Sequence, residues 1–462
     1  MRDGYPVRMT RAAPPSPGVA PTLVGVASRA AAHPAVMWSA FVLVHLWLGR
    51  ANFVGPSQPM GDVVSVYRTW MQQGVGGGDW VGVDRPWVYP LLAAVPMLLA
   101  RVGGADHYGT AWLTIVLLLN AGALAVLTGW GRRNVAAGWW WIAFLAVLGP
   151  IALGRIDAVT VPFALVGLLL LGARPLLASA LLTIGAWIKV WPAALVVAAV
   201  VALRGRSRRT VVSAAAVTTA AVVAISLVLG SGLNVVGFVG QQAGRGLQVE
   251  SPAATPWLWR AASGVVGTYV YYDRQILTYQ VEGDGVGFAA RATTVVMALV
   301  VALVLLLGLR AVRLGASATR LLAPLSLAFV IALVVTNKVG SPQFVSWLAA
   351  PVVLGLVLSR RGGPSFVVPA LVALVVAGLT QVVYPWRYDD LLAADPGMVA
   401  LITVRNGAEV VLLGVALVQL WRVGSSAGRG ADRAPQRRDG RDRGRRRGDQ
   451  VRGDRSAAIM DA

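Results

Sequence analysis

The sequence predicts an all-α fold, a polytopic transmembrane helical bundle with about 10–13 spans. Of its 462 residues, 56% are hydrophobic and only 13% are charged, about half the charged fraction of a soluble domain. The mean hydropathy is +0.66, and several apolar stretches are long enough to cross a bilayer. These observations exclude a soluble enzyme, a disordered protein and a secreted scaffold held by disulfides.

Residues that commonly bind metals are scarce. Cysteine is absent, and the three histidines are scattered along the chain. Neither a thiol nucleophile nor a Cys- or His-based metal centre is therefore expected. No bound cofactor is predicted, and nothing in the sequence requires a divalent metal.

The charge is strongly basic, with 41 Lys+Arg against 20 Asp+Glu and a net charge of +21. Much of the excess lies in short loops and near the C-terminus, which favours membrane lipids over nucleic acid as the partner. A specific RNA or protein partner of the tail is the alternative. We expect residues 1–34 to be a disordered basic leader, 35–421 the transmembrane domain and 422–462 a disordered Arg-rich tail.

The apolar runs give the order of the elements. The first run, 35–49, is interpreted as an uncleaved signal anchor. Run 176–203 is too long for one span and is interrupted by Lys189 and Pro192, so it is predicted to form two helices that meet at a kink. Trp87–Ala100 is either a further span or a re-entrant segment. The remaining runs are 109–131, 137–153, 157–173, 210–230, 290–310, 321–336, 343–359, 365–384 and 397–421.

Arginine placement predicts the orientation in a plasma membrane. Arginines cluster in alternate connections and at both termini, which places those connections and both termini in the cytoplasm. The other connections, which hold most of the remaining polar residues, then face the outer leaflet. These outer loops are 54–108, 154–156, 189–192, 231–289, 337–342 and 385–396.

The first outer loop contains a carboxylate at the start of a predicted helix. Asp62 precedes Val63, Val66, Tyr67 and Trp70, whose spacing predicts an amphipathic helix on the membrane surface. A helix N-terminus favours a carboxylate. Asp62 is therefore either a catalytic group or an ordinary N-cap residue.

The chain returns to the membrane through an aromatic segment. Trp87 and Tyr89 are typical of an interfacial belt, and the alternative is a wall that stacks on a sugar. Asp84 and Arg85 are interpreted as a solvated pair.

Isolated charges lie at several predicted span ends. Arg155 and Asp157 are interpreted either as an ion pair with each other or as part of a site. Lys189 interrupts an apolar run, and Lys338 and Gln343 flank another. Ionisable groups in such places indicate function, with a snorkelling lysine as the alternative.

The loop at 231–289 contains a glycine-flanked arginine, Arg245, followed by Gln248. The flanking glycines would let backbone approach a ligand closely, and a guanidinium can make forked bonds to phosphate. The alternative is a polar surface loop.

These motifs, in order from Phe53 to Trp347, resemble glycosyltransferase family 87. The likeness rests on GD–V–YR–W, VYPLLAAVPMLLA, GRIDAVT, IKVWPAAL, QQAGRGLQVES and NKVGSPQFVSWL. This is an actinobacterial family of GT-C type, similar to the α-1,2-mannosyltransferases of phosphatidylinositol-mannoside and lipomannan synthesis. The chain departs from the family's common Tyr-Pro-Pro at Leu91, as a less-characterised branch would.

The resemblance implies an inverting transferase of GT-C fold that uses a polyprenyl-phosphate sugar, most simply mannose, and a lipid-anchored glycan acceptor of the cell envelope. Asp62 would be the catalytic base. The remaining positions would bind the donor phosphate or line the same cavity, and they are Arg245, Lys189, Gln248, Lys338, Arg155, Asp157, Gln343 and Tyr89.

Other functions remain open at this point. A lipid transporter or flippase would also have many spans with buried charges, but it predicts an inverted repeat and charges near the midplane. A non-catalytic membrane scaffold and a pentosyl (arabinosyl) transferase of the same fold are the further alternatives.

Overall fold

The computed structural model describes residues 33–432. The predicted leader, apart from its last two residues, and the part of the predicted tail from 433 onward lie outside the described residues. The last helix continues to Asp432, beyond Trp421, where the sequence interpretation ends the transmembrane domain.

The described chain is a helical bundle with one short β-hairpin. Eight of its helices are long and apolar enough to cross a membrane, which confirms the prediction of an all-α polytopic bundle. The α-helices are α1 (Pro34–Val54), α2 (Arg68–Gly77), α3 (Ala94–Leu99), α4 (Tyr108–Thr128), α5 (Val135–Leu148), α6 (Asp157–Leu170), α7 (Pro175–Ile188), α8 (Ala193–Ala202), α9 (Gly205–Val228), α10 (Gly237–Ala243), α11 (Thr255–Ala262), α12 (Val286–Arg313), α13 (Ala318–Val335), α14 (Ala349–Ser359), α15 (Val367–Gln381), α16 (Tyr388–Leu392) and α17 (Pro396–Asp432).

Short segments of other helix types join or extend these helices. Two π-helical segments are Asp62–Tyr67, which leads into α2, and Val382–Trp386, which follows α15. The 3₁₀ segments are Leu91–Ala93, Ala100–Gly103, Pro150–Ala152, Gly232–Val236, Pro252–Ala254 and Pro342–Leu348.

The predicted division of run 176–203 is confirmed. Helix α7 ends at Ile188 and α8 begins at Ala193. Between them, Lys189 has an extended backbone (φ −150°, ψ 130°), and Pro192 has no N–H to continue a helix. This break places the ammonium of Lys189 at a helix end inside the bundle.

The segment Leu91–Gly103 does not add a further crossing. It begins beside Tyr89, whose ring lies 5.0 Å from Nζ of Lys189 at the end of α7. It then returns to the start of α4, where Tyr108 Oη donates to the carbonyl of Met97 at 2.8 Å. Both of its ends therefore lie at the same end of the bundle, as expected for a re-entrant segment.

Connections alternate between two ends of the bundle. We call one the arginine end, where Arg204 Nη2 donates to the carbonyl of Val312 at 2.8 Å. The other is the loop end, which holds the long connections and the β-hairpin. The arginine-end connections are 129–134, 171–174, 203–204, 314–317 and 360–366, and those of the loop end are 55–107, 149–156, 189–192, 229–285, 336–341 and 382–395.

The core lies along two central helical segments. In their most apolar windows, α13 is 72% buried and Pro342–Ser359 is 83% buried, whereas α9 and α12 are each 17% buried. Helices that are apolar on all sides yet exposed are typical of a surface that faces lipid. The central helices carry the loop-end residues on a rigid base.

The β-hairpin was not predicted. Strands β1 (Tyr269–Asp273) and β2 (Thr278–Glu282) pair antiparallel within the segment interpreted from sequence as a polar loop. Backbone bonds extend this small sheet, since Val249 N donates to the carbonyl of Tyr279 at 3.1 Å and Val281 N to that of Leu247 at 3.0 Å. The hairpin thus anchors the segment that contains Arg245.

Candidate active site

The predicted helix in the first loop is present and begins at Asp62. Its first turn, Asp62–Tyr67, is π-helical and continues into α2. Val63, Tyr67 and Met71 are buried on one side, while the Asp62 side chain is 43% exposed. The carboxylate therefore lies at a fixed helix start with one side open.

Asp62 is paired with Arg155 rather than standing alone. Arg155 Nε lies 3.1 Å from Asp62 Oδ2, and only 10% of the arginine side chain is exposed. The guanidinium is oriented by further bonds to the carbonyls of Pro59 and Gly154 and to Tyr384 Oη at 3.0 Å. An arginine held by three further hydrogen-bond partners thus contacts one oxygen of a half-exposed carboxylate.

Asp157 has different partners, so the predicted alternative of an Arg155–Asp157 pair is wrong. Its Oδ1 accepts from Trp347 Nε1 at 2.6 Å, and its Oδ2 lies 3.4 Å from Lys189 Nζ. The Asp157 side chain is only 1% exposed. Asp157 is the first residue of α6, and its side chain points into the bundle toward the end of α7. Arg155 lies in the turn before α6, and its side chain reaches the first loop.

The pairing bears on which carboxylate can act as a base. A neighbouring guanidinium makes a carboxylate a weaker base, and Arg155 lies beside Asp62 and not beside Asp157. Exposure now distinguishes the two carboxylates, because Asp62 is accessible and Asp157 is enclosed by its partners.

Lys189 is largely enclosed by side chains and does not extend outward as a snorkelling lysine would. Its side chain is 17% exposed, and its ammonium lies over the rings of Tyr89 at 5.0 Å and Phe344 at 5.3 Å. Aromatic faces at this distance stabilise a cation. Lys189 is thus held between Asp157 and two rings.

An aromatic cluster connects the two ion pairs. Tyr67 Oη lies 3.4 Å from Tyr89 Oη and accepts from the backbone N of Ile156, also at 3.4 Å. Burial raises the pKa of both tyrosines, which keeps them neutral hydrogen-bonding groups. Trp87, predicted either to anchor in the interface or to form a wall, is 2% exposed and packs against Trp70 and Tyr89.

The predicted Asp84–Arg85 pair is wrong. Arg85 Nε lies 3.3 Å from Asp79 Oδ2, and Asp84 Oδ2 instead accepts from the backbone N of Trp80 at 2.6 Å. Asp84 closes a local turn, so its carboxylate is turned back toward the chain.

The segments of Gln248 and Lys338 pack directly together. Gln248 N donates to the carbonyl of Lys338 at 3.0 Å, and Gln248 Nε2 donates to Ser341 Oγ at 3.2 Å. Gly340 is required here, because a Cβ would overlap the backbone of Ser251. Two loops far apart in sequence therefore form one wall.

Arg245 lies on this wall near other charged groups. Burial lowers the pKa of Arg245, while Tyr89 and Asp273 act in the opposite direction. Burial and the charge of Arg245 lower the pKa of Lys338. The Nε atom of Arg245 is buried and has no hydrogen-bond partner in the described part of the chain, so this guanidinium retains bonding capacity.

The two glycines that flank Arg245 have different surroundings. A Cβ on Gly246 would overlap Oε1 of Gln280 in strand β2, whereas the space beside Gly244 is open. The hairpin contact therefore accounts for the small residue at position 246.

Gln343 is half-buried in the 3₁₀ segment Pro342–Leu348. The contacts with the Lys189–Asp157 pair are made by its neighbours Phe344 and Trp347, which the sequence analysis did not single out. The sequence feature that could have indicated them is that both aromatic residues closely follow Gln343 at the end of a predicted span.

Two tyrosines of the loop after α15 make contacts that were not predicted. Tyr384 Oη binds Arg155, and Tyr388 Oη donates to Glu250 Oε1 at 2.7 Å. The carbonyl of Glu250 accepts from Arg405 at 2.7 Å. The signal that could have found them is the aromatic run YPWRY in a loop-end connection.

The arrangement combines an accessible carboxylate with several cations at one end of the bundle. A carboxylate can accept a proton, and the cations can stabilise an anionic group. Within residues 33–432, no group of three or more His, Asp or Glu comes together as a metal site would require.

Comparison with known families gives the chemical class. The family model described as glycosyltransferase family 87 matches residues 87–336, more than half of the chain. The chain belongs to glycosyltransferase family 87. No curated protein and no solved structure matches it.

This family 87 member is a membrane glycosyltransferase. The matched segment contains most of the predicted site residues, while Lys338 and Gln343 follow it and Asp62 precedes it. The assignment of Asp62 therefore depends on its contacts and its exposure.

Proposed function

We propose that this glycosyltransferase moves mannose from polyprenyl-phosphate mannose to a lipid-anchored glycan of the cell envelope. The observation that carries the proposal is the accessible Asp62 carboxylate, held 3.1 Å from Arg155, at the same end of the bundle as Lys189, Arg245 and Lys338. Family membership favours a transferase over a transporter.

We assign the donor phosphate to the wall formed by the segments of Gln248 and Lys338. Because it carries Arg245 and Lys338, we call it the cationic wall. Arg245 retains a buried Nε available for bonding, and its charge is close enough to Lys338 to lower the pKa of that lysine. Two crowded cations favour an anionic ligand, because its charge relieves their repulsion. Gln248 and Tyr89 line the same region beside Lys338 and Lys189.

Asp62 is assigned as the base. It takes the proton of the acceptor hydroxyl while that oxygen bonds to the anomeric carbon of the donor sugar. The bond between the anomeric carbon and the phosphate oxygen breaks, and the electron pair leaves with the polyprenyl phosphate. The cations stabilise the charge that develops on this leaving group. The reaction needs no redox cofactor, and we propose none.

Asp157 and Gln343 have supporting positions in this scheme. Asp157 is enclosed by Lys189 and Trp347, so it orients the ammonium without touching substrate. Gln343 is next to Phe344, whose ring lies 5.3 Å from Lys189 Nζ.

The orientation follows from the arginine end. Connections rich in arginine remain in the cytoplasm, which directs the loop end and its active site to the outer leaflet of the plasma membrane. Both termini are then cytoplasmic.

Reconstitution tests the proposal. The full chain in lipid nanodiscs is given polyprenyl-phosphate [¹⁴C]mannose and a mannosylated phosphatidylinositol, with polyprenyl-phosphate arabinose and GDP-mannose in parallel. We expect label in a product one hexose heavier with the lipid-linked mannose alone. Transfer from the arabinose donor would instead identify a pentosyltransferase, and transfer from GDP-mannose would contradict a lipid-phosphate donor.

A further inference from the structure

The β-hairpin presents two different faces. Residues directly opposite each other in antiparallel strands share a face, so Tyr272 shares one with its partner Tyr279, and Val270 with Val281. Val281 is 2% exposed, whereas Tyr272 near the tip is 44% exposed. The inner face is therefore fixed to the protein at one end and open at the tip.

A series of tyrosine rings connects this face to the loop after α15. The ring centroids of Tyr272 and Tyr279 are 4.9 Å apart, those of Tyr279 and Tyr388 are 5.9 Å apart, and those of Tyr388 and Tyr384 are 5.1 Å apart. Rings at these distances pack favourably. The position of Tyr272 is thus supported by a continuous series of tilted and edge-to-face ring contacts.

The series ends at the proposed base. Tyr384 Oη accepts from Arg155 Nη2 at 3.0 Å, and Arg155 binds Asp62 at 3.1 Å. Burial raises the pKa of Tyr272, and its interactions with Tyr279 and Asp62 add to this effect. The ring contacts therefore link the exposed Tyr272 to the Asp62–Arg155 pair.

The other face of the hairpin borders the cationic wall. Gln280 is buried against Gly246, and the charge of Asp273 acts on Arg245. One face of the hairpin thus packs beside the segment of Arg245, and the other carries the ring contacts that lead from Tyr272 toward Asp62.

We propose that the exposed ring of Tyr272 is a stacking platform for the terminal sugar ring of the acceptor, whose hydroxyl is thereby presented to Asp62. This inference rests on the proposed glycosyl transfer and adds a binding subsite to it. A tyrosine has an apolar face for the C–H face of a sugar and a hydroxyl for its polar groups.

The hairpin tip beside Tyr272 carries both polar and apolar residues. Asp273, Arg274 and Gln275 follow the tyrosine, and Asp273 Oδ1 accepts from the backbone N of Gln275 at 2.9 Å. Ile276 and Leu277, which is 51% exposed, complete the tip. The polar groups next to the ring can bind sugar hydroxyls, and the donor KM of a Tyr272 variant distinguishes a sugar from an isoprenoid chain.

Steady-state kinetics of the full chain in nanodiscs test the subsite, with octyl α-D-mannopyranoside as the acceptor and polyprenyl-phosphate mannose as the donor. Tyr272→Ala should raise the acceptor KM about tenfold, as expected for loss of a ring stack, with the donor KM unchanged. Tyr272→Trp should restore the acceptor KM. Tyr269→Ala is the matched control, because Tyr269 is 53% exposed but lies on the opposite face.

Saturation-transfer NMR with octyl α-D-mannopyranoside separates this inference from the proposed function. If the wild-type protein binds the mannoside, Tyr272→Ala loses that binding and the wild type transfers no mannose, the subsite is supported and the proposed transfer is rejected. Equal acceptor KM values for Tyr272→Ala and Tyr269→Ala would overturn the subsite while leaving the transfer intact. A rise in donor KM alone would assign Tyr272 to the isoprenoid lipid and also overturn it.

Discussion

Nε of Arg155 lies 3.1 Å from Oδ2 of Asp62, and the two side chains are exposed to very different degrees, 10% for the arginine and 43% for the aspartate. Solvent reaches the pair from the Asp62 side and weakens its contribution to stability. Its consequence is geometric, since Arg155 is itself fixed by Pro59, Gly154 and Tyr384. The carboxylate is oriented while one side remains open.

Asp62→Asn should abolish most transfer without loss of folding. The substitution is nearly isosteric and removes the proton acceptor, so we expect turnover to fall about 100-fold or more, as for loss of a general base. Donor binding, measured by retention of labelled polyprenyl-phosphate mannose, should be unchanged. Asp79→Asn is the control, because Asp79 lies in the same loop and pairs with an exposed arginine. Normal turnover in Asp62→Asn would remove Asp62 as the base, and loss of turnover in Asp157→Asn at an unchanged thermal midpoint would move the base to Asp157.

The buried Asp157–Lys189 pair should behave as a structural unit. Removal of one member leaves the other buried charge uncompensated, which costs about 3–5 kcal/mol. Lys189→Met should therefore lower the thermal midpoint in detergent more than the double variant Asp157→Asn/Lys189→Met does. The exposed pair Arg387–Asp390 provides the control cycle, where Arg387→Met should have little effect. Additive losses at Asp157 and Lys189 would show that the two are not coupled.

Local features of the fold could be predicted from sequence because they depend on nearby residues. Pro192 ends helical hydrogen bonding wherever it occurs, so the break at Lys189–Pro192 was predicted correctly. The helix at Asp62 followed from the spacing of Val63, Tyr67 and Trp70.

Long-range partners could not be predicted, because two residues next to each other in sequence can face different parts of the bundle. Arg155 and Asp157 lie on either side of the start of α6 and bind Asp62 and Lys189 respectively. The hairpin had a local signal, two short runs rich in Tyr, Val and Thr around 274–277, which hydropathy alone did not reveal.

Arg245→Lys should lose most transfer even though it keeps its charge. A lysine cannot make the forked bonds of a guanidinium to phosphate, so we expect kcat/KM for the donor to fall about tenfold or more. Arg387→Lys is the matched control and should retain activity, because Arg387 is an exposed loop-end arginine that pairs with Asp390. Wild-type kinetics in Arg245→Lys would remove Arg245 from the donor site.

The arginine end should face the cytoplasm. Arg204 and the arginines that follow it lie at the start of α9, and arginines in short connections are retained on the cytoplasmic side. A phosphatase reporter inserted after Gly205 should be inactive, whereas one inserted after Gly264 in the loop end should be active outside the cell. The reverse pattern would invert the proposed topology and place the site inside.

Lys338 should set an alkaline limit to donor capture. Burial and the neighbouring charge of Arg245 lower the pKa of Lys338 below its ordinary value of 10.5. A lowered pKa means that this ammonium loses its proton at a lower pH than an ordinary lysine, so the attraction for phosphate is present below that pKa and is lost as pH rises through it. The pH profile of kcat/KM for the donor reports groups of the free enzyme, and it should fall on the alkaline side.

Lys338→Arg supplies the decisive comparison, because arginine stays protonated throughout this range. The alkaline limb of kcat/KM should move to higher pH in this variant, even if its maximum is lower. Bound phosphate stabilises the ammonium, so kcat at saturating donor should be less sensitive to alkaline pH than kcat/KM in the wild type. An alkaline limb at the same pH in wild type and Lys338→Arg would assign it to another group and exclude Lys338 from donor capture.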